Sequence, residues 1–378
     1  MKNVVIAGYA RSPFAPARRG ELARTRPDEM AAQVVRALVE TSGVNAADIE
    51  DLIMGCAFPE GEQGLNVARL VAFLADLPQS VAGTTVNRFC GSSMQSVHMA
   101  AGAIQMGAGD AFICAGMESM SRVPMAGFNP MPHPELYKRM PEAYVSMGIT
   151  AENLAKKYDI SRAEQERVAV ESHAKATAAQ KEGRLSDEIV AIVDGNRRIE
   201  QDGCIRPDTT ADTLGALEPA FDKAGSVTAG TSSPLTDGAA ALLVTTEEYA
   251  DAHGLAKLAR IRSIAVAGCA PEIMGIGPVP ATEKALKRAG VEMKDIDIIE
   301  LNEAFAAQAL AVIRETGIDE AKMNLDGGAI ALGHPLGATG ARITGKAAAL
   351  LKREGKSLAL ATQCIGGGQG IATVLEAC

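Results

Sequence analysis

Four residues of this chain have a type and setting that can do chemistry: Cys90 in VNRFCGSSMQ, His334 in GGAIALGHPLGATGAR, Cys364 in TQCIGGGQG and Asn302 in LNEAFA. Cys90 stands between the apolar run GTTVNRF and a helix opened by GSS. A thiol at a helix N-terminus feels the unpaired N–H groups there, which favour thiolate and predict a lowered pKa. Ser92 and Ser93 are placed to cap that helix, and Gly91 to let a ligand reach the backbone. His334 precedes a proline suited to a first helical turn, so its imidazole should project from a strand-to-helix corner. Gly327, Gly328, Gly333 and Gly337 permit tight turns and close substrate approach around it. Cys364 follows the apolar run SLALAT and precedes IGGGQG, whose backbone N–H groups are the raw material of an oxyanion hole.

Each feature taken singly has a plainer reading. A cysteine is often a small buried apolar residue, an isolated histidine is often a satisfied structural one, and Asn302 and Glu303 could simply cap a helix. A phosphate loop is a further rival at His334, but no Lys-Ser/Thr pair follows the glycines. Together, two cysteines, a histidine and an asparagine on loops at strand ends point to nucleophilic and acid–base catalysis.

The elements around them read as α/β. KNVVIAGYA has the look of a strand, PDEMAAQVVRALVETSG of an amphipathic helix and IEDLIMGCAF of a strand, and this alternation predicts largely parallel sheets. A weak internal repeat runs through the chain. VNAADIEDLIMGCAF resembles VEMKDIDIIELNEAF, and FCGSSMQSVHMAAGAIQMGAGDAFICAGM parallels GHPLGATGARITGKAAALLKREGKSLALATQCIGG. Cys90 and His334 occupy matching places, each in the loop before a helix, so two duplicated halves could present both to one cleft. The expected organisation is a first half over 1–119, completed by about 249–260, an inserted domain over 120–248 laid on that first half, and a second half over 261–378.

With 378 residues, 47% of them hydrophobic, the chain can bury one large core or two similar ones. Only 3% are aromatic, which suits close helix-on-sheet packing. A net charge of −9 argues against a general nucleic-acid binder, which needs a basic face. No apolar run approaches the roughly 20 residues needed to span a bilayer, and MKNVVIAGYARSPF has no cleavable apolar segment, so a cytoplasmic protein is expected. Seven cysteines without a CxxC pair read as reduced thiols, and no metal site is expected.

VNRFCGSSMQ, AGTSSPLTDGAA, MGIGPVPA, NEAFA, GGAIALGHPLGATG and CIGGGQG match thiolase motifs in order and approximate spacing, and as a set they are highly specific. The resemblance covers nearly the whole chain, and VNRFCGSSMQ looks most like the degradative 3-ketoacyl-CoA thiolases of fatty-acid β-oxidation. It implies a five-layer αβαβα fold from two duplicated halves with an inserted loop domain. By the same resemblance, Cys90 is the nucleophile that becomes an acyl-thioester, and Cys364 the acid and base at the α-carbon of acetyl-CoA. His334 activates Cys90 and, with a water held by Asn302, stabilises the enolate oxygen. The N–H groups of Cys90 and Gly366 form the second oxyanion hole. Ser233 falls beside the pantetheine arm of CoA, Arg206 and Thr213 near its nucleotide end, and Met147 and Met274 along the acyl site. Core packing or ordinary solvation remains an alternative for these last residues.

The resemblance further implies no permanently bound cofactor, with coenzyme A and acyl-CoA as substrates. It also implies a homodimer or tetramer, and in some relatives a hydratase/dehydrogenase subunit as partner. Three other readings compete with 3-ketoacyl-CoA cleavage. An acetoacetyl-CoA thiolase condensing two acetyl-CoA would use the same residues with a smaller acyl pocket. A ketoacyl synthase would carry a second histidine where Cys364 stands. A non-catalytic CoA-binding relative would not need both cysteines, His334 and Asn302.

Overall fold

The structure, a computed structural model, describes residues 2–378. Its first half runs β1 (Val4–Arg11), β2 (Ala15–Pro16), α1 (Pro27–Ser42), β3 (Ile49–Gly55), α2 (Val67–Leu74), β4 (Ala82–Val86), α3 (Ser92–Gln105) and β5 (Ala111–Ser119). An inserted stretch follows with α4 (Pro134–Arg139), α5 (Met147–Lys157), α6 (Arg162–Lys181), β6 (Ile192–Asp194), β7 (Arg197–Ile199) and α7 (Ala211–Gly215). The chain then returns through β8 (Thr236–Thr246) and α8 (Glu247–Ala252). The second half comprises β9 (Ala259–Gly268), α9 (Pro278–Ala289), β10 (Ile298–Leu301), α10 (Ala306–Thr316), α11 (Ala329–Leu332), α12 (Leu336–Glu354), β11 (Leu358–Ile365) and β12 (Gln369–Glu376).

Strand order is β10-β11-β12-β9-β1-β8-β5-β3-β4, with β2 pairing to β8. The two halves of this sheet meet at β1 and β9 through only two residue pairs, Val5 with Arg260 and Ile6 with Ala259. Side chains alternate faces along each strand. Val5, Ala7, Ile113, Ala115, Ala239 and Ala241 turn toward α1 and α2, whereas Ile6, Phe112, Cys114, Ala240 and Leu242 turn toward α3 and α12. In the second half Ala265, Ile299, Leu360 and Ala372 face α9 and α10, and Ile298, Ala359, Ala361 and Ile371 face the same central helices. Strands buried on both faces read as near-continuous apolar runs. The resulting order is helix, sheet, helix, sheet, helix: the expected five layers.

The strands are less parallel than expected. β3 runs parallel to β4 and β5, and β10 to β11, but β8 is antiparallel to β1 and β5, and β12 to β9 and β11. β12 turns back on β11 as a hairpin, β8 returns beside β5 after the insertion, and apolar runs carry no sign of direction. The insertion also departs from expectation. Its short strands lie on the first half, where Ile192 and Ile199 join the outer core. Its helices pack on the second half, Leu154, Val168 and Ala169 against Ala306, Leu310 and Ala311 of α10. α10 offers an apolar face away from its own sheet, and those helices cover it.

The two central helices cross closely. A Cβ at Gly340 of α12 would run into the backbone nitrogen of Met94 in α3, and Ala341 N–H donates to Ser93 Oγ across the crossing at 2.8 Å. Gly340→Val should therefore cost about 1–3 kcal/mol of stability by overpacking, read as a lower midpoint of urea unfolding followed by circular dichroism. Gly102→Ala is the control, because nothing lies within 4 Å of the added Cβ on that exposed side of α3; it should hold the midpoint or raise it. Equal midpoints for Gly340→Val and wild type would refute the tight crossing.

Candidate active site

The same crossing brings two loops to one end of the molecule. β4 leads into Asn87–Arg88–Phe89, where Phe89 adopts a left-handed φ of 43° and Arg88 bridges to Cys90. A non-glycine residue in that conformation persists only where its surroundings hold it. Here Ser92 Oγ accepts from Arg88 N–H at 2.9 Å and donates to Phe89 O at 2.6 Å, closing the corner. Contrary to the expectation that Ser92 and Ser93 cap α3, neither does: its N-cap is Gly91, without a side-chain acceptor, and Ser93 serves α12. Gly91 is small for a protein neighbour rather than a ligand, since an added Cβ would stand 2.5 Å from Ile365 Cδ1.

His334 sits at a corner between two helices, α11 and α12, rather than at the expected strand-to-helix corner; it follows Gly333 with φ 102°, and its N–H donates to Thr236 Oγ1 at 3.0 Å. Thr339 Oγ1 donates to Pro335 O at 2.9 Å, so the 2.6 Å bond between His334 Nδ1 and Thr339 Oγ1 must use a proton on Nδ1. Nε2 then carries the lone pair, and Asn302 Nδ2 lies 3.4 Å from it. Asn302 Oδ1 is buried without a partner, leaving an open acceptor beside the imidazole. Thr339 was missed in the sequence, although a hydroxyl one turn into the helix after a histidine is a readable signal. The glycines around His334 serve turns and protein packing: a Cβ at Gly337 would strike Met117 O, and one at Gly328 would strike the Glu303 carboxylate.

Cys90, His334 and Cys364 all line one apolar cavity of about 180 Å³. Ser233, Met147 and Met274 line it too, together with Met120, Leu235 and Phe305, which carry no chemical signal in the sequence. Ser233 N–H is tied to Ala304 O at 3.0 Å. Asn302 is buried behind His334, and Gly366 follows β11, where its backbone favours a thiolate at Cys90. Arg206 and Thr213 are not brought to the cavity. Both are exposed; Arg206 N–H donates to His173 Nδ1 at 3.1 Å, and Thr213 closes a capping box with Thr210 at the start of α7.

Electrostatics differ from the sequence expectation. Burial pushes the Cys90 thiol up to about 11, outweighing the N–H groups of Gly366 and of Cys90 itself, which pull it down. Burial, with Cys90 as neighbour, pushes Cys364 well above the usual thiol range. Burial, helped by Arg342, brings His334 down to about 3. Loss of water around a charge outweighs the partial charge of a helix end. At neutral pH the free site therefore holds two thiols and a neutral imidazole. Among the described residues no cluster of three or more His, Cys, Asp or Glu is arranged to hold a metal, and all seven cysteines are free.

Comparison with known proteins agrees with this architecture. Residues 4–248 match the thiolase N-terminal domain model and residues 255–377 the thiolase C-terminal domain model. The chain belongs to the thiolase family. Curated thiolases named 3-ketoacyl-CoA thiolase include one from Bacillus subtilis, 49% identical with 100% of both chains covered, and one from Shewanella loihica, 50% identical over 100% of both. Among solved thiolase-fold structures, Bacillus anthracis acetyl-CoA acetyltransferase superposes with a TM-score of 0.92 at 40% identity, covering 100% of this chain and 99% of that one. Human mitochondrial 3-ketoacyl-CoA thiolase in complex with CoA gives 0.92 at 37% identity, with 100% and 98% covered.

Because burial keeps His334 and Cys90 uncharged, alkylation of Cys90 by iodoacetamide should show no inflection between about pH 5.5 and 8, where an ordinary imidazole titrates. Peptide mass spectrometry across that range would measure it. An inflection near 6.5 would mean that His334 titrates normally and that the cavity is wetter than its geometry implies.

Proposed function

We propose that this chain cleaves 3-ketoacyl-CoA with CoA to acetyl-CoA and a shortened acyl-CoA, as an acyltransferase of fatty-acid β-oxidation. The observation that carries the reading is the convergence of Cys90, His334 and Cys364 on one apolar cavity. In the proposed cycle His334 Nε2 takes the Cys90 proton as the sulfur attacks the 3-keto carbon. The N–H groups of Cys90 and Gly366 receive the resulting oxyanion. Collapse breaks the bond between C2 and C3 and leaves the acyl group on Cys90. The electron pair passes to C2, whose enolate oxygen is met by protonated His334 and a water on Asn302. Cys364 delivers its proton to C2 and acetyl-CoA departs. The Cys364 thiolate then takes the thiol proton of an incoming CoA, whose sulfur attacks the acyl-thioester. Cys90 leaves as thiolate and recovers its proton from His334. A thiol raised by burial suits Cys364 as a donor, because it stays protonated until a carbanion forms beside it.

On this reading Ser233 meets the pantetheine arm and Met147 and Met274 the start of the acyl chain, which their shared lining of the cavity supports. Arg206 and Thr213 would meet the nucleotide end of CoA outside the cavity. Edge strand β4 is unpaired on one side, and Leu70, Phe73 and Leu74 of the adjacent α2 are 37%, 47% and 39% exposed; this supports a homodimer. Among the described residues no helix is long and apolar enough to cross a membrane, and a cytoplasmic location is proposed. The likeness to an acetyl-CoA acetyltransferase favours one second reading, condensation of two acetyl-CoA.

Cys90→Ser should lower turnover at least about 1000-fold while the Kd for CoA changes by less than about 3-fold, since only the nucleophile is lost. Steady-state kinetics with calorimetric CoA titration measures both, and retained turnover would remove Cys90 from the chemistry. Cys364→Ala should abolish deuterium exchange into the methyl group of acetyl-CoA, followed by NMR; exchange at the wild-type rate would exclude Cys364. For substrate choice, kcat/KM should be higher on 3-ketooctanoyl-CoA than on acetoacetyl-CoA. The reverse order would favour the acetyl-transfer reading.

A further inference from the structure

The first turn of α12, which carries the His334 corner, is held by a carboxylate from the other half of the chain. Glu118 is the penultimate residue of β5 and is 1% exposed. Its Oε2 accepts from Gly337 N–H at 2.9 Å and from Ala57 N–H at 2.8 Å. Its Oε1 accepts from Phe58 N–H at 3.2 Å and Gln63 Nε2 at 2.8 Å, and the Cys56 thiol points at it from 3.8 Å. Every neighbour is a donor and none an acceptor. Burial pushes the Glu118 carboxyl up, but a protonated acid would aim its own proton at another donor, so this set of partners fits the anion alone. Gly337 lies three residues after His334 and would otherwise leave an orphan helical N–H, and a negative charge at a helix N-terminus is favourable. The second half reciprocates: Gln363 Nε2 donates to the carbonyl of Cys90.

We propose that Glu118 is a positioning residue of the reaction, acting through His334 by fixing the start of α12 against the Cys90 loop. The inference rests on the thiolase reading only for the name of the reaction; the geometry it concerns is that of Cys90 and His334. Glu118→Gln keeps the shape of the side chain, but in either orientation its NH₂ faces two N–H donors, so the helix start is pushed from its place. A shift on the order of 1 Å in a reacting pair can cost about 100-fold.

The test is a double-mutant cycle read by iodoacetamide alkylation of Cys90, followed by peptide mass spectrometry and independent of thiolase turnover. Glu118→Gln should slow alkylation about 10-fold or more when His334 is present, and by less than about 2-fold in a His334→Ala background. A purely electrostatic role predicts the opposite sign in both backgrounds, because removing a negative charge near Cys90 eases loss of its proton. Unchanged or faster alkylation overturns the proposal, and so does an equal slowing with and without His334. Circular dichroism at the assay temperature establishes folding, and Glu118→Asp, which keeps the charge on a shorter arm, enters the same cycle if the glutamine variant fails to fold. Thiolysis by the wild-type chain is measured separately. If it is absent while the coupling persists, the thiolase reading fails and the positioning role stands.

Discussion

Everything in this molecule hangs on two helices lying backbone against backbone between two half-sheets. Gly340 and Met94 approach so closely that no side chain fits at that point of α12. The contact sets the height of one helix against the other, and so decides where their first turns stand. Cys90 and His334, each at the loop before one of these helices, inherit their separation from a contact deep in the central layer. The site is precise because it is mounted on a packed crossing rather than on free loops.

Burial then decides the protonation states. Cys90, Cys364 and His334 are 8%, 0% and 4% exposed, and their surroundings disfavour charge on each of them. A neutral resting site avoids holding an ion pair in a dry cavity, where pairing offsets desolvation only with excellent geometry. In the proposed cycle charge arises only as substrate reacts, on groups already in place. The corner around Cys90 is closed by its own hydrogen bonds through Ser92, so the proposed reaction would need little reorganisation there.

Much of this was legible in the sequence, for stated physical reasons. The glycine-flanked Cys90 announces a loop between a strand and a helix, and the Asp-rich turns before β3 and β10 match; His334 instead follows the short helix α11, and Cys364 lies within β11 as a partner of Gly370. What could not be read depends on partners distant in the chain. The upward shift of Cys90 follows from burial by Met120, Leu336 and Ala57, which local helix-end reasoning ignores. Glu118 sits in GMESMS with no pattern to mark it, because all its donors come from elsewhere in the fold. The helices of the insertion could not be assigned to the second half, since an apolar face on α10 does not name what covers it. Strand direction was misjudged for β8 and β12 because an apolar run is the same in either direction.

The insertion leaves the first half at Ser119 and rejoins it near Asp237, and these two residues are register partners on adjacent antiparallel strands. The ends of the excursion are thus pinned side by side by a ladder that belongs to the core. Closing a longer loop between fixed ends adds little entropy cost, growing only with the logarithm of its length. Loop-closure entropy therefore sets little limit on the length of the stretch that contributes Met147, Ser233 and Phe221 to the cavity wall, provided that its helices still cover α10. The wall of the cavity and the loops that carry Cys90 and His334 thus lie on stretches of chain whose lengths can change separately.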